Sequence, residues 1–317
     1  MSILVVGAGA FGTSLAISLG RQGPVSLWAR DPQHIAEMQA TRRNTRRLPG
    51  ANFPDPLTVT ATLQDAQTVL LAVPAQKLSG VLTENRDLFA GKYLVACCKG
   101  IDRETGLGAC DTIAASVPTA IPAVLTGPSF AADLAVGLPT ALTLACADRD
   151  VGKILQKQLS TPVLRLYRTT DTRGAELGGA LKNVMAIACG VAVGAGLGHS
   201  ARAALMTRGF AEMTRFAVQH GADSATLAGL SGFGDLALTC TSEGSRNYQF
   251  GVALGSGQSF DRNTTVEGAS TALAMKKIAL HQNLDMPITQ TVARLVEKKA
   301  DVQTAIEHLL SRPLKEE

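Results

Sequence analysis

The chain has 317 residues, enough for two domains of ordinary size. Its 46% hydrophobic and 18% charged content is that of a globular protein, and a net charge of +4 is too mild to imply nucleic acid as a partner. Only 4% of residues are aromatic, so the cores must rest on Ala, Leu, Val and Gly.

The first element is the apolar run Ile3 to Val6, which reads as a fully buried parallel strand. It leads into Gly7-Ala-Gly9-Ala10-Phe11-Gly12, a Gly-x-Gly-x-x-Gly turn, and then into a helix from Thr13 to Arg21. Gly7 suits the tight turn, Gly9 lets backbone approach a pyrophosphate, and Gly12 lets the helix pack close to the strand. The N–H groups and positive dipole end of that helix suit phosphates. A second strand follows at Val25 to Trp28, which completes the context of a dinucleotide site.

Asp31-Pro32 then starts a helix over 31–43, with Asp31 as cap and proline in the first turn. Arg30 lies at the end of the second strand, about 20 residues past the glycine turn. A carboxylate there suits the ribose hydroxyls of NAD, whereas a basic residue suits the 2′-phosphate of NADP. NADP(H) is therefore expected to be preferred, with NAD(H) accepted. Arg42, Arg43, Arg46 and Arg47 cluster nearby; for Arg42 and Arg43 a solvated helix end is favoured over an anionic ligand.

Further strands are expected at 68–72, 93–97, 123–126, 140–145 and 163–167, with helices at 75–85 and 150–159 between them. The alternation predicts an α/β domain, a Rossmann-type doubly wound and mostly parallel sheet. Three motifs fall at strand ends: Ala72-Val73-Pro74, Cys98-Lys99-Gly100 and Gly127-Pro128-Ser129-Phe130-Ala131. Lys99 by itself would pass for a surface lysine; its strand-end position favours a functional role.

After Thr170 the β-branched runs vanish. Helices are expected at 172–190, 202–220, 249–254, 266–281, 287–297 and 301–311. The reading is an all-α C-terminal domain, with residues 1–172 forming the dinucleotide-binding domain and 173–317 the substrate domain. The active site is expected in the cleft between them. Within the first of these helices, Lys182 interrupts a long apolar stretch. Burial would lower its pKa and suit it to general acid–base work; a snorkelling lysine has the same pattern. Leu230-Ser-Gly-Phe-Gly-Asp235 suggests a loop that presents a carboxylate to Lys182 or to a substrate hydroxyl, or else a helix cap. The stretch from Cys240 to Asn247 puts Ser245, Arg246 and Asn247 on one loop, a mix suited to phosphate. Thr265 and Glu267 are placed to reach the cofactor.

No apolar run is expected to cross a bilayer. The longest candidate, 184–197, has 14 residues and is rich in small ones, so it reads as a buried helix. Met1 leads straight into a core strand, so no secretory signal is expected. Cys97, Cys98, Cys110, Cys146, Cys189 and Cys240 include no Cys-x-x-Cys pair, and the histidines do not cluster with them. Reduced thiols, a cytoplasmic location and no metal are expected.

Together the strings GAGAFGTSLA, LWARDP, CCKGI, GPSFA, GAELGGALKNVMAIA, ARAALMTRGFAEM, GLSGFGDLALTCTSEGSRN and VEGA resemble the bacterial NAD(P)-dependent glycerol-3-phosphate dehydrogenases, from residue 3 to about 270. The resemblance implies interconversion of sn-glycerol 3-phosphate and dihydroxyacetone phosphate by hydride transfer, feeding glycerophospholipid synthesis. It implies a proton-transfer role for Lys182. Lys99, Gly127, Ser129, Asp235, Ser245, Arg246 and Asn247 would surround the substrate. Ala10, Phe11, Arg30, Lys99, Ala131, Arg246 and Glu267 would touch the cofactor. Ser129 stands where the family often has Thr, and His199-Ser200 departs from its usual pattern. Two rivals remain: a 6-phosphogluconate or 3-hydroxyacid type of dehydrogenase, which the Gly-Asp-Leu and Ser-Arg-Asn strings argue against, and a non-catalytic NADP-binding redox sensor. The Ala- and Gly-rich helices over 180–215 would pack within one chain or across a homodimer, with a lean toward the dimer.

Overall fold

The computed structural model describes residues 2–261 and 264–310. In chain order the elements are β1 (Ile3–Val6), α1 (Ala10–Gly20), β2 (Val25–Trp28), α2 (Pro32–Thr41), β3 (Arg43–Asn44), β4 (Leu48–Asn52), β5 (Leu57–Thr60), β6 (Thr68–Leu71), α3 (Ala75–Glu84), α4 (Arg86–Phe89), β7 (Tyr93–Ala96), α5 (Ala109–Ser116), β8 (Ile121–Thr126), α6 (Ala131–Val136), β9 (Thr140–Ala145), α7 (Arg149–Leu159) and β10 (Leu164–Thr169). Helices α8 (Thr172–Gly194), α9 (Gly198–Gln219) and α10 (Ser224–Ala228) follow, then a π-helical turn at Leu230–Gly234. The chain ends with α11 (Asp235–Thr241), α12 (Arg246–Gly255), α13 (Glu267–His281), α14 (Pro287–Val296) and α15 (Val302–Leu310). The expected end of the last helix at Ser311 lies outside the described residues.

An eight-stranded sheet has the order β10-β9-β8-β7-β6-β1-β2-β5. From β8 through β5 every neighbouring pair is parallel, and only β8 and β9 pair antiparallel. The chain leaves β1, β2, β6, β7 and β8 at the same edge of the sheet. β1 lies between β2 and β6 and is buried along its whole length, which explains its unbroken apolar sequence. The connections reverse direction at β1, and in open α/β sheets ligands bind beyond the carboxyl end of that strand. β9 and β10 run the other way, so their carboxyl ends lie at the opposite edge.

Two compact units are present: one takes residues up to Lys99 together with Leu107–Glu176, the other Gly100–Gly106 together with residues from Leu177 on. The division falls inside α8, which at 23 residues is longer than expected. Its most apolar window has a mean hydropathy of 1.5, enough by length and composition to cross a membrane, against the expectation that no run qualifies. That window is 83% buried inside the protein, so α8 is a core helix. Its glycines have partners within the chain. A Cβ on Gly190 would stand 2.2 Å from the Tyr248 carbonyl oxygen, and one on Gly251 would stand 2.2 Å from that of Ile187. The small residues therefore let α8 and α12 touch backbone to backbone, which fixes the helix that carries Lys182 against the one that carries Arg246.

In the first unit the start of α5 is held by a carboxylate. Glu176 Oε1 accepts the Cys110 N–H at 2.6 Å. Part of the residue reaches solvent, but burial of its carboxyl, with Asp111 adding repulsion, raises its pKa to about 7; the Cys110 hydrogen bonds and Arg173 oppose the rise without cancelling it. Between about pH 4.5 and 7 the folded chain thus keeps a proton that the unfolded chain has lost. This carboxyl's contribution to stability is full at low pH and falls as pH rises, by at most about 3 kcal/mol. In urea titrations Glu176→Gln should match the parent near pH 5 and be the more stable of the two at pH 8. Parallel pH profiles for the two proteins would count against a proton-holding Glu176.

Candidate active site

The glycine turn is shaped by two packing constraints and one vacancy. Gly7 has φ +116°, which favours glycine, and a Cβ there would lie 2.6 Å from the Ala72 carbonyl oxygen. A Cβ on Gly12 would lie 2.1 Å from the Gly7 carbonyl oxygen. Gly9, the N-cap of α1, has nothing within 4 Å of the same position. The fold demands glycine at 7 and 12, whereas at Gly9 it leaves room for a side chain. These residues therefore fit a pyrophosphate laid over the N-terminus of α1, beside Ala10 and the half-buried Phe11.

Arg30 follows β2 at the same sheet edge and is exposed. It forms no ion pair among the described residues. Asp31 is used as the cap: its carboxylate accepts the Gln33 N–H at 3.0 Å and is paired with Arg46 at 2.9 Å. Arg46 also pairs with Glu37 at 2.8 Å, while Arg42 donates to the Leu57 and Pro54 carbonyl oxygens. Arg43 donates to Asn52, so Arg42, Arg43 and Arg46 are tied to the protein itself; Arg42 is half-buried rather than the solvated helix end expected of it, and Arg30 stands apart from them.

Lys99, three residues past β7, reaches across to the turn after β8, where its Nζ donates to the Gly127 carbonyl oxygen at 3.0 Å. Ser129 Oγ lies 3.5 Å from the same oxygen, and Ala131 opens α6. The structure thus gathers Lys99, Gly127 and Ser129 into one small cluster.

In the second unit Lys182 is buried within α8, 6% exposed, and does not snorkel. Its Nζ lies 2.9 Å from Asp235 Oδ1 and donates to Thr239 Oγ1 at 2.7 Å. Thr239 in turn donates to Asp235 Oδ1 at 3.3 Å. Asp235 is 1% and Thr239 4% exposed. Burial disfavours an ammonium, but the adjoining carboxylate stabilises it. Asp235 is not presented by a loop: the π-helical turn delivers it as the first residue of α11. A Cβ on Gly232 would lie 1.9 Å from the Leu227 carbonyl oxygen, which explains the glycine in that tight winding.

The expected phosphate loop is shorter than the stretch 240–247. Cys240 and Thr241 belong to α11, and α12 begins at Arg246. Ser245 is the cap of α12, its Oγ accepting the Tyr248 N–H at 3.2 Å, so its hydroxyl serves structure and retains one hydrogen to donate. Arg246 is exposed at the first position of that helix and makes no ion pair among the described residues. Asn247 donates to Asn183 Oδ1 at 3.0 Å, and its own Oδ1 accepts the Gly268 N–H at 2.9 Å. That chain of amides joins α8, α12 and the start of α13, where Glu267 lies half-buried; Thr265, just before it, is exposed.

Residues 2–152 match the model of the NAD-dependent glycerol-3-phosphate dehydrogenase N-terminus, and residues 171–307 match that of its C-terminus. The chain belongs to the NAD-dependent glycerol-3-phosphate dehydrogenase family. It is 61% identical, over the full length of both chains, to a protein of Roseobacter denitrificans named glycerol-3-phosphate dehydrogenase (NAD(P)+), and 59% identical over the full length to one of Ruegeria sp. with the same name. The crystal structure of glycerol-3-phosphate dehydrogenase from Coxiella burnetii superposes with a TM-score of 0.93 at 36% identity, covering 98% of this chain and 99% of that one.

Thr239 and Asn183 are among the residues of this family member that sequence reasoning passed over. Thr239 had a signal: it stands four residues after Asp235, so on a helix both side chains share a face. Asn183 had only its place beside Lys182, and its partner Asn247 is 64 residues away.

Proposed function

We propose that this chain interconverts sn-glycerol 3-phosphate and dihydroxyacetone phosphate, with NADP(H) preferred and NAD(H) accepted. The observation that carries the reading is the buried Lys182–Asp235–Thr239 cluster in a chain of this family. When bound, a nicotinamide would supply or accept the hydride at the substrate's C2. In the reductive direction the Lys182 ammonium donates its proton to the oxygen that gains negative charge, while Asp235 and Thr239 hold the Nζ in place. Arg246, with Ser245 and Asn247, takes the phosphate end and converts binding into orientation. In the first unit, Lys99, Gly127 and Ser129 would be the substrate contacts that the family resemblance implies. In the first unit Gly7, Gly9, Ala10, Phe11, Gly12, Arg30, Lys99 and Ala131 would hold the dinucleotide, and the family resemblance and the sequence pattern add Arg246, Thr265 and Glu267 from the second.

Initial rates of dihydroxyacetone phosphate reduction with NADPH and with NADH test this reading. Reduction of NADP+ by 6-phosphogluconate-type or 3-hydroxyacid-type substrates, with no turnover of glycerol 3-phosphate or dihydroxyacetone phosphate, would overturn it. Arg30→Asp should raise the KM for NADPH about 30-fold and leave that for NADH within about threefold, the loss of one charge-assisted contact to a 2′-phosphate. Equal losses for both cofactors would remove Arg30 from the specificity site. We further propose a cytoplasmic role in supplying phospholipid precursors, and a homodimer, which sedimentation would test.

A further inference from the structure

We propose that Asn44 is a positioning residue for the dinucleotide: it sets the orientation of the Ala8–Gly9 peptide so that the Gly9 N–H faces the pyrophosphate. The inference rests on the assignment of the glycine turn as the dinucleotide site. Asn44 lies on the short strand β3, is fully buried, and lies 36 residues from Ala8 in sequence. Its Nδ2 donates to the Ala8 carbonyl oxygen at 3.0 Å and to Thr13 Oγ1 at 2.8 Å. Its Oδ1 accepts the Arg47 N–H at 3.1 Å and lies 2.9 Å from His34 Nε2.

The partners fix which way round the carboxamide sits. A carbonyl oxygen can only accept, so the group facing Ala8 is the NH2; a backbone N–H can only donate, so the group facing Arg47 is the oxygen. His34 must therefore carry its hydrogen on Nε2. The side chain uses both of its donors and both of its acceptor sites, and no slack is left for it to turn.

The peptide between Ala8 and Gly9 is planar and trans, so its C=O and N–H point in opposite directions. With the Ala8 oxygen drawn inward to Asn44, the Gly9 N–H is aimed away from it, on the residue whose Cα has open space above it. The second donor holds Thr13, whose N–H bonds to the Gly9 carbonyl oxygen at 2.9 Å in the first turn of α1. Asn44 thus clamps the turn from both sides of Gly9. Without the clamp the Ala8–Gly9 peptide is free to rotate, and one of its orientations presents a carbonyl oxygen to the phosphates. Donors fixed in advance save the ordering that binding would otherwise require.

The test uses two ligands of the full-length protein, each titrated in competition with NADPH: ADP-ribose, which carries the pyrophosphate, and adenosine 2′-phosphate, which lacks it. In Asn44→Ser, which is too short to reach both Ala8 and Thr13, the Kd of ADP-ribose and of NADPH should rise about tenfold or more. The Kd of adenosine 2′-phosphate should stay within about twofold, and kcat at saturating NADPH within about threefold. Thr13→Val, which keeps the Ala8 bond, should weaken ADP-ribose less than Asn44→Ser does. If Asn44→Ser does not fold, His34→Ala, which removes the bond that orients the carboxamide, should show the same selective loss in smaller measure. Equal weakening of both ligands, or of neither, overturns the role of Asn44. Failure of ADP-ribose to compete with NADPH in the parent protein would instead overturn the assignment of the turn itself, and this inference with it.

Discussion

Lys182→Ala should lower kcat for dihydroxyacetone phosphate reduction by about three orders of magnitude, with the KM for NADPH changed by less than about threefold. The size follows from the loss of a positioned proton donor that also stabilises developing charge. Stability should suffer as well, because the substitution takes the ammonium away from the Asp235 carboxylate, which is buried at 1% exposure. Breaking a buried pair by removing one partner costs about 3–5 kcal/mol. The double variant Lys182→Ala with Asp235→Ala removes the stranded charge, so it should regain stability without regaining turnover. That separation matters, since a single variant with low activity and a low unfolding midpoint would leave chemistry and folding entangled. The measurements are single-turnover rates at saturating NADPH and urea midpoints for both variants. Turnover of Lys182→Ala near the parent value would end the proton-transfer role, and a double variant as unstable as the single one would end the account of the stranded carboxylate.

The parts of this site that were legible in sequence are those written in local pattern. Ile3 to Val6 reads as a central strand because both of its faces are covered, and Gly7 and Gly12 fall where backbone atoms come too close for a Cβ. Lys182 stood out as one charge in an apolar helix. What was missed depends on contacts that sequence spacing does not display. β3 has two residues, too short for periodicity to register beside a run of arginines, yet it carries the amide that holds the glycine turn. Helices α5 and α6, of eight and six residues, are Ala-rich and offer no clear amphipathic stripe. Asp235 was read as presented by a loop because glycines at 232 and 234 signal turns; here they permit a π-helical winding instead. Ser245 was read for its chemistry, and its cap role emerges only once α12 is seen to begin at Arg246.

Gly9 and Gly12 should fail in opposite ways when substituted. Gly12→Ala places a methyl 2.1 Å from the Gly7 carbonyl oxygen and 2.8 Å from the Ala72 Cβ. Neither atom belongs to a flexible side chain, so strand and helix must separate, at a cost of about 3 kcal/mol or more. Gly9 has φ −71° and ψ 176°, a conformation open to any residue, and nothing lies within 4 Å of an added Cβ. Gly9→Val should therefore still fold: loss of glycine's freedom in the unfolded chain adds about 0.4–1 kcal/mol, which offsets the poorer N-cap that valine makes for α1. Its side chain would nevertheless fill the space where the pyrophosphate must meet the backbone, and the Kd for NADPH should rise about 100-fold, the equivalent of about 2.7 kcal/mol. Thermal unfolding and NADPH titration of the two variants separate the cases. Undiminished NADPH affinity in a folded Gly9→Val protein would remove the dinucleotide from this turn. The converse result, stable protein without cofactor binding, marks Gly9 as a position where stability permits a side chain and only the ligand forbids one.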